Sequence, residues 1–228
     1  MKRPRRLDTT GHAGRHQVLK RISTGLDRWA VRRRQFDGRA ETLDSLYARP
    51  DPWKLGSREH GRFEGTNALI AQYCPEPSSI LEVGCGEGYQ TRYFRGIADQ
   101  VTGIDISAIA LARARVAVPK AVFLEGTLPA FLPILRHRRY DLVTLCEVLI
   151  YGDDPESLIA AAQSCGEAVL VTSYAPQSHS LSDLCRGEGW VSLPEIRSGR
   201  KSWKAYLWRA NASSELSIPA RLAAVSAT

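Results

Sequence analysis

From Ser78 to Arg209 the chain alternates two hydrophobic patterns. Short apolar runs of strand length are separated by stretches whose apolar residues recur every three or four positions. "SSILEVGC", "QVTGIDIS", "AVFLEG", "YDLVTLCEVL" and "EAVLVTSY" read as strands. "GYQTRYFRGIA", "AIALARARVA" and the segment from Pro155 to Ser164, started by Asp154, read as helices. Such alternation predicts an α/β fold: a doubly wound, mostly parallel sheet with helices on both faces. "WVSLPEI" and "SWKAYLWRA", joined by "RSGRK", predict an antiparallel C-terminal hairpin that brings the sheet to seven strands. Upstream, "RPDPW" is a Pro-punctuated turn. Ser57 is placed to cap a helix running to about Cys74, with Phe63, Leu69 and Ile70 on its apolar face.

The first 50 residues follow a different pattern. "MKRPRRLDTTGHAGRH" is polar and basic and reads as disordered, whereas Leu19, Ile22, Leu26 and Trp29 recur at helical spacing among arginines. Three parts are expected: a basic extension over 1–50, one α/β domain over 51–210, and a loose tail over 211–228.

Charge changes this picture only locally. The net charge is +7, but residues 1–50 hold 13 Lys and Arg against 5 Asp and Glu, and the rest of the chain is nearly neutral. A nucleic-acid or anionic-membrane contact therefore belongs to the extension; its competitor is a helix packed on its own domain with solvated arginines. No apolar run is long enough for a transmembrane helix, and the N-terminus lacks an apolar signal core. Five cysteines without CxxC spacing argue against a zinc site or disulfide scaffold. Together these features predict a cytoplasmic protein without a bound metal.

The candidate chemistry begins at the end of the first strand. Gly84, Gly86 and Gly88 give Gly-x-Gly-x-Gly, and an acid, Asp105, ends the second strand. A dinucleotide site needs its third glycine one place later, where this chain has Tyr89. The turn suits a ligand with a ribose, for Asp105, but without a pyrophosphate on the helix. An empty tight turn is the competing reading.

"LEVGCGEG" followed by "GIDIS" resembles the class I methyltransferases that use S-adenosyl-L-methionine (SAM), over roughly residues 53–208. The resemblance implies that Glu82, Gly84, Gly86 and Gly88 surround the methionine part of SAM, that Asp105 holds the ribose hydroxyls, and that Ile106 packs on the adenine. Thr127 and Leu128 stand where the family usually carries Gly-Asp near the adenine amine. "DPW", "SREHGRF" and "LCEVLIY" are similar to the nodulation S (NodS) N-methyltransferases, with Arg62, Phe63 and Cys146 replacing that group's lysine, second aromatic and serine. This implies a small amine-bearing acceptor, such as an amino sugar.

An amine nucleophile must be neutral to attack, so a base near the methyl group is expected. Glu147, after the fourth strand, is the candidate catalytic residue; capping a helix or binding the SAM amino group is the alternative. Trp53, Tyr151 and His179 are candidate acceptor-binding residues, and Arg62 a candidate partner for the SAM carboxylate. Each has a structural competitor: a packed aromatic, an incidental loop histidine, a surface arginine. Cys146 reads as core filler. Two other functions stand beside the small-molecule reading: RNA methylation through the basic arm, and SAM binding without turnover. "CEVL" stands where base-modifying enzymes often carry Asn-Pro-Pro-Tyr, which disfavours the RNA reading.

Overall fold

The computed structural model describes residues 39–211 except 136–137, 152–153 and 179–180. The basic helix expected around Leu19–Trp29, the tail after Asn211 and His179 lie outside the described residues.

The chain runs α1 (Ala40–Tyr47), α2 (Leu55–Arg58), α3 (His60–Tyr73), β1 (Ser79–Val83), α4 (Tyr89–Phe94), β2 (Gln100–Asp105), α5 (Ala108–Ala117), β3 (Val122–Glu125), α6 (Leu128–Leu135), β4 (Tyr140–Cys146), α7 (Pro155–Cys165), β5 (Gly166–Tyr174), α8 (Leu181–Leu184), β6 (Trp190–Ser198) and β7 (Lys201–Arg209). The strands form one seven-stranded sheet in the order β3-β2-β1-β4-β5-β7-β6. Five strands are parallel, and β7 pairs antiparallel with both β5 and β6. The order reverses between β1 and β4, and ligands of doubly wound sheets collect outside the carboxyl ends of strands at such a switch.

Alternation along the strands divides the core between the two faces. Leu81, Val143, Val169 and Val171 pack with α6 and α7 through Leu128, Ile159 and Ala162. Ile80, Leu142, Ala168 and Leu170 face the other way, onto Leu69 and Ile70 of α3 and Phe94 of α4. Strands buried on both faces read as continuous apolar runs, which is how "ILEV" and "AVLV" present themselves. Helix starts follow their capping chemistry: Ser107 Oγ accepts the Ala110 N–H at 3.1 Å, and Asp154 Oδ1 accepts the Ser157 N–H at 2.9 Å. Pro194 lies on β6, the edge strand, where a missing N–H is tolerated.

The fold and its hairpin match the expectation, with local corrections. Ser57 caps nothing: it lies within α2, and the expected single helix breaks at Glu59. The cap comes from Asp51, whose carboxylate accepts the N–H groups of Leu55 (2.6 Å) and Gly56 (3.2 Å). The pattern also did not announce α1, α6 and α8. "LPAFLPIL" of α6 is apolar on every side and contains Pro133, so it has no periodic stripe. Among the described residues no helix is long and apolar enough to cross a membrane.

Candidate active site

A cavity of about 790 Å³ opens at the carboxyl ends of β1, β2 and β4 and is roofed by α1, α2 and the Asp51–Lys54 turn. This is the size range of sites that bury small ligands. Its wall includes nearly all the site residues the sequence nominated within the described range.

In the glycine turn, Gly84 and Gly86 form the floor of one half, whereas Gly88 is off the cavity wall and packs near Ala114 and Val118. Gly84, Gly86 and Gly88 have φ of 75°, 52° and 79°, in the left-handed region. A Cβ on Gly84 would stand 2.8 Å from Val148 Cγ2, and one on Gly86 would stand 2.7 Å from the Tyr47 hydroxyl. The turn hangs on β2: the Gly84 and Cys85 N–H groups both donate to the Ile104 carbonyl. Asp105 locks it from below. Its Oδ2 accepts the Gly86 N–H (2.8 Å) and its Oδ1 the Ser107 N–H (2.9 Å). A carboxylate offers about four lone-pair sites, so these amides leave acceptor capacity for hydroxyl donors. Burial raises the Asp105 pKa, and these amides oppose the rise. Glu82 lies beneath the turn, where its Oε2 accepts the Thr91 hydroxyl at 2.5 Å. Burial pushes its pKa up to about 8. Ile106 is half-buried, Leu128 fully buried and Thr127 exposed; all three border the same half.

The roof is tied down by polar contacts. Ser107 Oγ donates to Asp44 of α1 at 2.5 Å, and the Asp51 N–H donates to Glu87 Oε2 at 2.8 Å. Arg113 pairs with the other Glu87 oxygen at 2.7 Å. Trp53 donates its indole N–H to Tyr47 at 3.2 Å and packs against Tyr151 with ring centroids 5.9 Å apart. Trp53 and Tyr151 thus meet as neighbours although 98 positions separate them in the chain.

The second half of the cavity lies toward β5 and β7. Glu147 follows β4 with a left-handed φ of 62°, unusual for a residue with a side chain. Its N–H donates to the Thr172 carbonyl at 3.0 Å, and its Oε2 accepts the Tyr174 N–H at 3.2 Å. Its Oε1 is buried without a hydrogen-bond partner, and the residue lines the cavity. Burial raises the Glu147 pKa to about 7 against the opposing charge of Arg62. Among the described residues Glu147 caps no helix. Arg62 is no surface arginine: it is 4% exposed, with Nε on Glu59 (3.1 Å) and Nη1 on Gln90 Oε1 (2.9 Å). Cys146 borders the cavity beside Gln90, and burial pushes its thiol up to about 12, which leaves no thiolate for nucleophilic chemistry.

Several wall residues escaped the sequence reading. Tyr47 lies in a helix that the pattern did not announce. Glu59 lay inside the quoted "SREHGRF" but carried no signal of its own. Lys201 and Trp203 reach the cavity only because β7 inserts beside β5. Among the described residues no group of three or more His, Cys, Asp or Glu is placed to hold a metal.

The methyltransferase domain family matches residues 58–211. Nodulation protein S of Sinorhizobium fredii is 26% identical over 154 residues, 65% of this chain and 69% of that protein. The dTDP-3-amino-3,6-dideoxy-alpha-D-glucopyranose N,N-dimethyltransferase of Streptomyces fradiae is 33% identical over 89 residues, 39% of this chain and 34% of that protein. Among solved structures, the N-methyltransferase NodS of Bradyrhizobium japonicum WM9 with S-adenosyl-l-homocysteine superposes with a TM-score of 0.61 at 19% identity. That match covers 76% of this chain and 98% of NodS.

Proposed function

The chain belongs to the methyltransferase domain family and is a SAM-dependent methyltransferase; on that premise we propose that it methylates nitrogen on a small amine-bearing acceptor, an amino sugar. The observation that carries the acceptor reading is Glu147, a buried carboxyl with one oxygen unpartnered at the cavity wall. NodS is an N-methyltransferase, and the Streptomyces fradiae relative is named for an amino sugar; both support the same class.

The residues present fit SAM. Asp105 has acceptor capacity for the two ribose hydroxyls. Gly84 and Gly86, with left-handed φ, bring the backbone of the turn to the cavity wall for the methionine part. Ile106 and Leu128 give the adenine an apolar border, and Thr127 stands at its edge. Arg62, already held by Glu59 and Gln90, is in place for the SAM carboxylate. When bound, SAM supplies an electrophilic methyl carbon on a sulfonium for in-line attack by the acceptor.

The protein's own part is positioning and proton handling. An acceptor that arrives as an ammonium must lose a proton before its nitrogen has a lone pair. Glu147 Oε1 receives that proton. Its raised pKa suits the task, because a base near neutrality combines a useful ionised fraction with real proton affinity. The Tyr174 N–H fixes the other carboxyl oxygen and so aims Oε1. Trp53 and Tyr151, braced against each other, close the roof over the reacting groups and keep water out.

The test is incubation with labelled SAM and a panel of amines, amino sugars, phenols and RNA. Label on the nitrogen of an amino sugar is the expected result. Label on a phenol oxygen or on RNA would overturn the acceptor assignment while leaving methyl transfer intact.

A further inference from the structure

The acceptor half of the cavity has a charge pattern that an amino sugar without an anionic group does not use. Its rim is built from two chain segments far apart in sequence. One is the junction of α2 and α3, with Arg58 and Glu59. The other is the two-residue turn Gly199–Arg200 of the β6–β7 hairpin, followed by Lys201. Lys201 Nζ bonds Glu59 Oε1 at 2.5 Å across 142 positions. That contact draws together the residues that precede each partner, Arg58 and Arg200, and both border the cavity.

The charges there do not balance. Arg58, Arg62, Arg200 and Lys201 face one carboxylate, Glu59, whose two oxygens are taken by Arg62 and Lys201. Arg58 and Arg200 are exposed and have no ion pair or hydrogen bond among the described residues. The same cavity wall carries Tyr174 and Trp203, with ring centroids 5.8 Å apart and planes tilted by 54°, and Lys201 Nζ sits 5.9 Å from the Trp203 centroid. Glu147 lines it too. One wall therefore brings together unpaired guanidinium groups, aromatic rings and a carboxyl.

We propose that the acceptor carries a phosphate or diphosphate ester as well as its amine, with the phosphoryl oxygens held by Arg58, Arg200 and Lys201 and the amine delivered to Glu147. This rests on the amine-acceptor reading above. Guanidinium groups match phosphate oxygens in planar, two-pronged geometry, and two of them beside an ammonium suit a group with several anionic oxygens. Tyr174, half-buried in the same wall, gives the sugar ring an aromatic contact.

Calorimetry with inorganic pyrophosphate and with inorganic phosphate reads the rim without turnover. Saturable binding to the full chain is expected, weakened about tenfold by Arg58→Ala and again by Arg200→Ala, as charge-assisted contacts would give. Melting temperature and SAM affinity should stay as in the parent protein. No binding of either anion, or equal binding by parent and double variant, overturns the proposal. Turnover supplies the second arm: an amino sugar, its phosphate monoester and its nucleoside diphosphate ester are compared with labelled SAM. A kcat/KM at least about tenfold higher for one of the esters supports the proposal and identifies which phosphoryl group is read. Equal use of the free amino sugar overturns it, as does preferred methylation of single-stranded RNA. If every amine is refused while the anions still bind through Arg58 and Arg200, the anion site stands and the amine reading fails.

Discussion

The two halves of the cavity are built in different ways. The SAM half is a local construction: Glu82, the three glycines and Asp105 lie within 24 residues, and backbone amides do most of the holding. The acceptor half is assembled at long range. Glu59 meets Lys201, and Glu147 is aimed by the amide of Tyr174. Each half also buries a carboxyl, but differently. Glu82 is satisfied by Thr91, whereas Glu147 keeps one oxygen without a partner. A buried, partnered acid fixes structure; a buried acid with a free oxygen at a cavity wall is available for chemistry. The difference teaches that cofactor binding can be built locally while acceptor choice is left to segments brought together from distant parts of the chain.

The strongest way to break the comparison is Asp105→Ala. It should weaken SAM binding by about 100-fold or more, since the proposed ribose anchor and the turn's support are lost together. It should also destabilise the protein, because the Gly86 and Ser107 N–H groups lose their acceptor, at about 1–3 kcal/mol for each group left unsatisfied. Unchanged SAM affinity by calorimetry would sink the assignment of the local half. Glu147→Gln is the matching change in the other half. It preserves shape but cannot take a proton, so kcat should fall by about 100-fold, in the range typical of a lost general base. SAM affinity should stay within about threefold. In the parent enzyme kcat/KM should fall as pH drops below about 7, and that limb should vanish in the variant. A limb that persists assigns the proton transfer to another group.

Legibility in the sequence follows the same division. "LEVGCGEG" and "GIDIS" exposed the local half because turn glycines and a strand-end acid have fixed offsets. The mostly parallel sheet and the antiparallel hairpin were legible from hydrophobic pattern and turn residues, whereas the strand order that sets the switch point was not. The acceptor half was legible only one residue at a time: Trp53, Arg62, Glu147 and Tyr151 were nominated, but their partners were not. Arg62 read equally well as a surface residue, because its burial depends on Glu59 and Gln90, 3 and 28 positions away. Lys201 gave no signal because its place at the cavity depends on β7 inserting between β5 and β6. Pairings of that range are set by sheet topology, which no local spacing encodes.

The two buried carboxyls should also separate by what pH does to them. Glu82 has its folded pKa raised from 4.5 to about 8. The folded chain therefore keeps a proton that the unfolded chain releases across that window. The stabilising contribution is full below about pH 4.5 and is lost as pH rises through about 8, with a limiting slope of about 1.4 kcal/mol per pH unit. The SAM-free protein should accordingly melt at a lower temperature at pH 8 than at pH 5, and Glu82→Gln should flatten most of that dependence. Glu147→Gln should flatten only the part below about 7. Equal flattening by both variants would mean that the carboxyls titrate as one coupled unit.

The smallest effect tests how the distant segments are held together. A Cβ on Gly61, at the start of α3, would stand 2.3 Å from Ser198 Oγ and 2.9 Å from Ser198 Cβ. The hydroxyl could rotate away, but Cβ is fixed to the backbone, so the end of β6 must shift by several tenths of an ångström. Lys201 follows directly after that turn, and its bond to Glu59 is the first contact the shift would loosen. Gly61→Ala should therefore raise the KM for the methylated amine about fivefold while SAM affinity holds. Stability should change little, because alanine improves helix propensity by about 1 kcal/mol over glycine and offsets part of the strain. Adding Ser198→Gly removes both crowding atoms and should restore the parent KM. A loss of SAM affinity equal to the rise in KM would show that the two halves move as one body, and the division between them would then be one of sequence and not of mechanics.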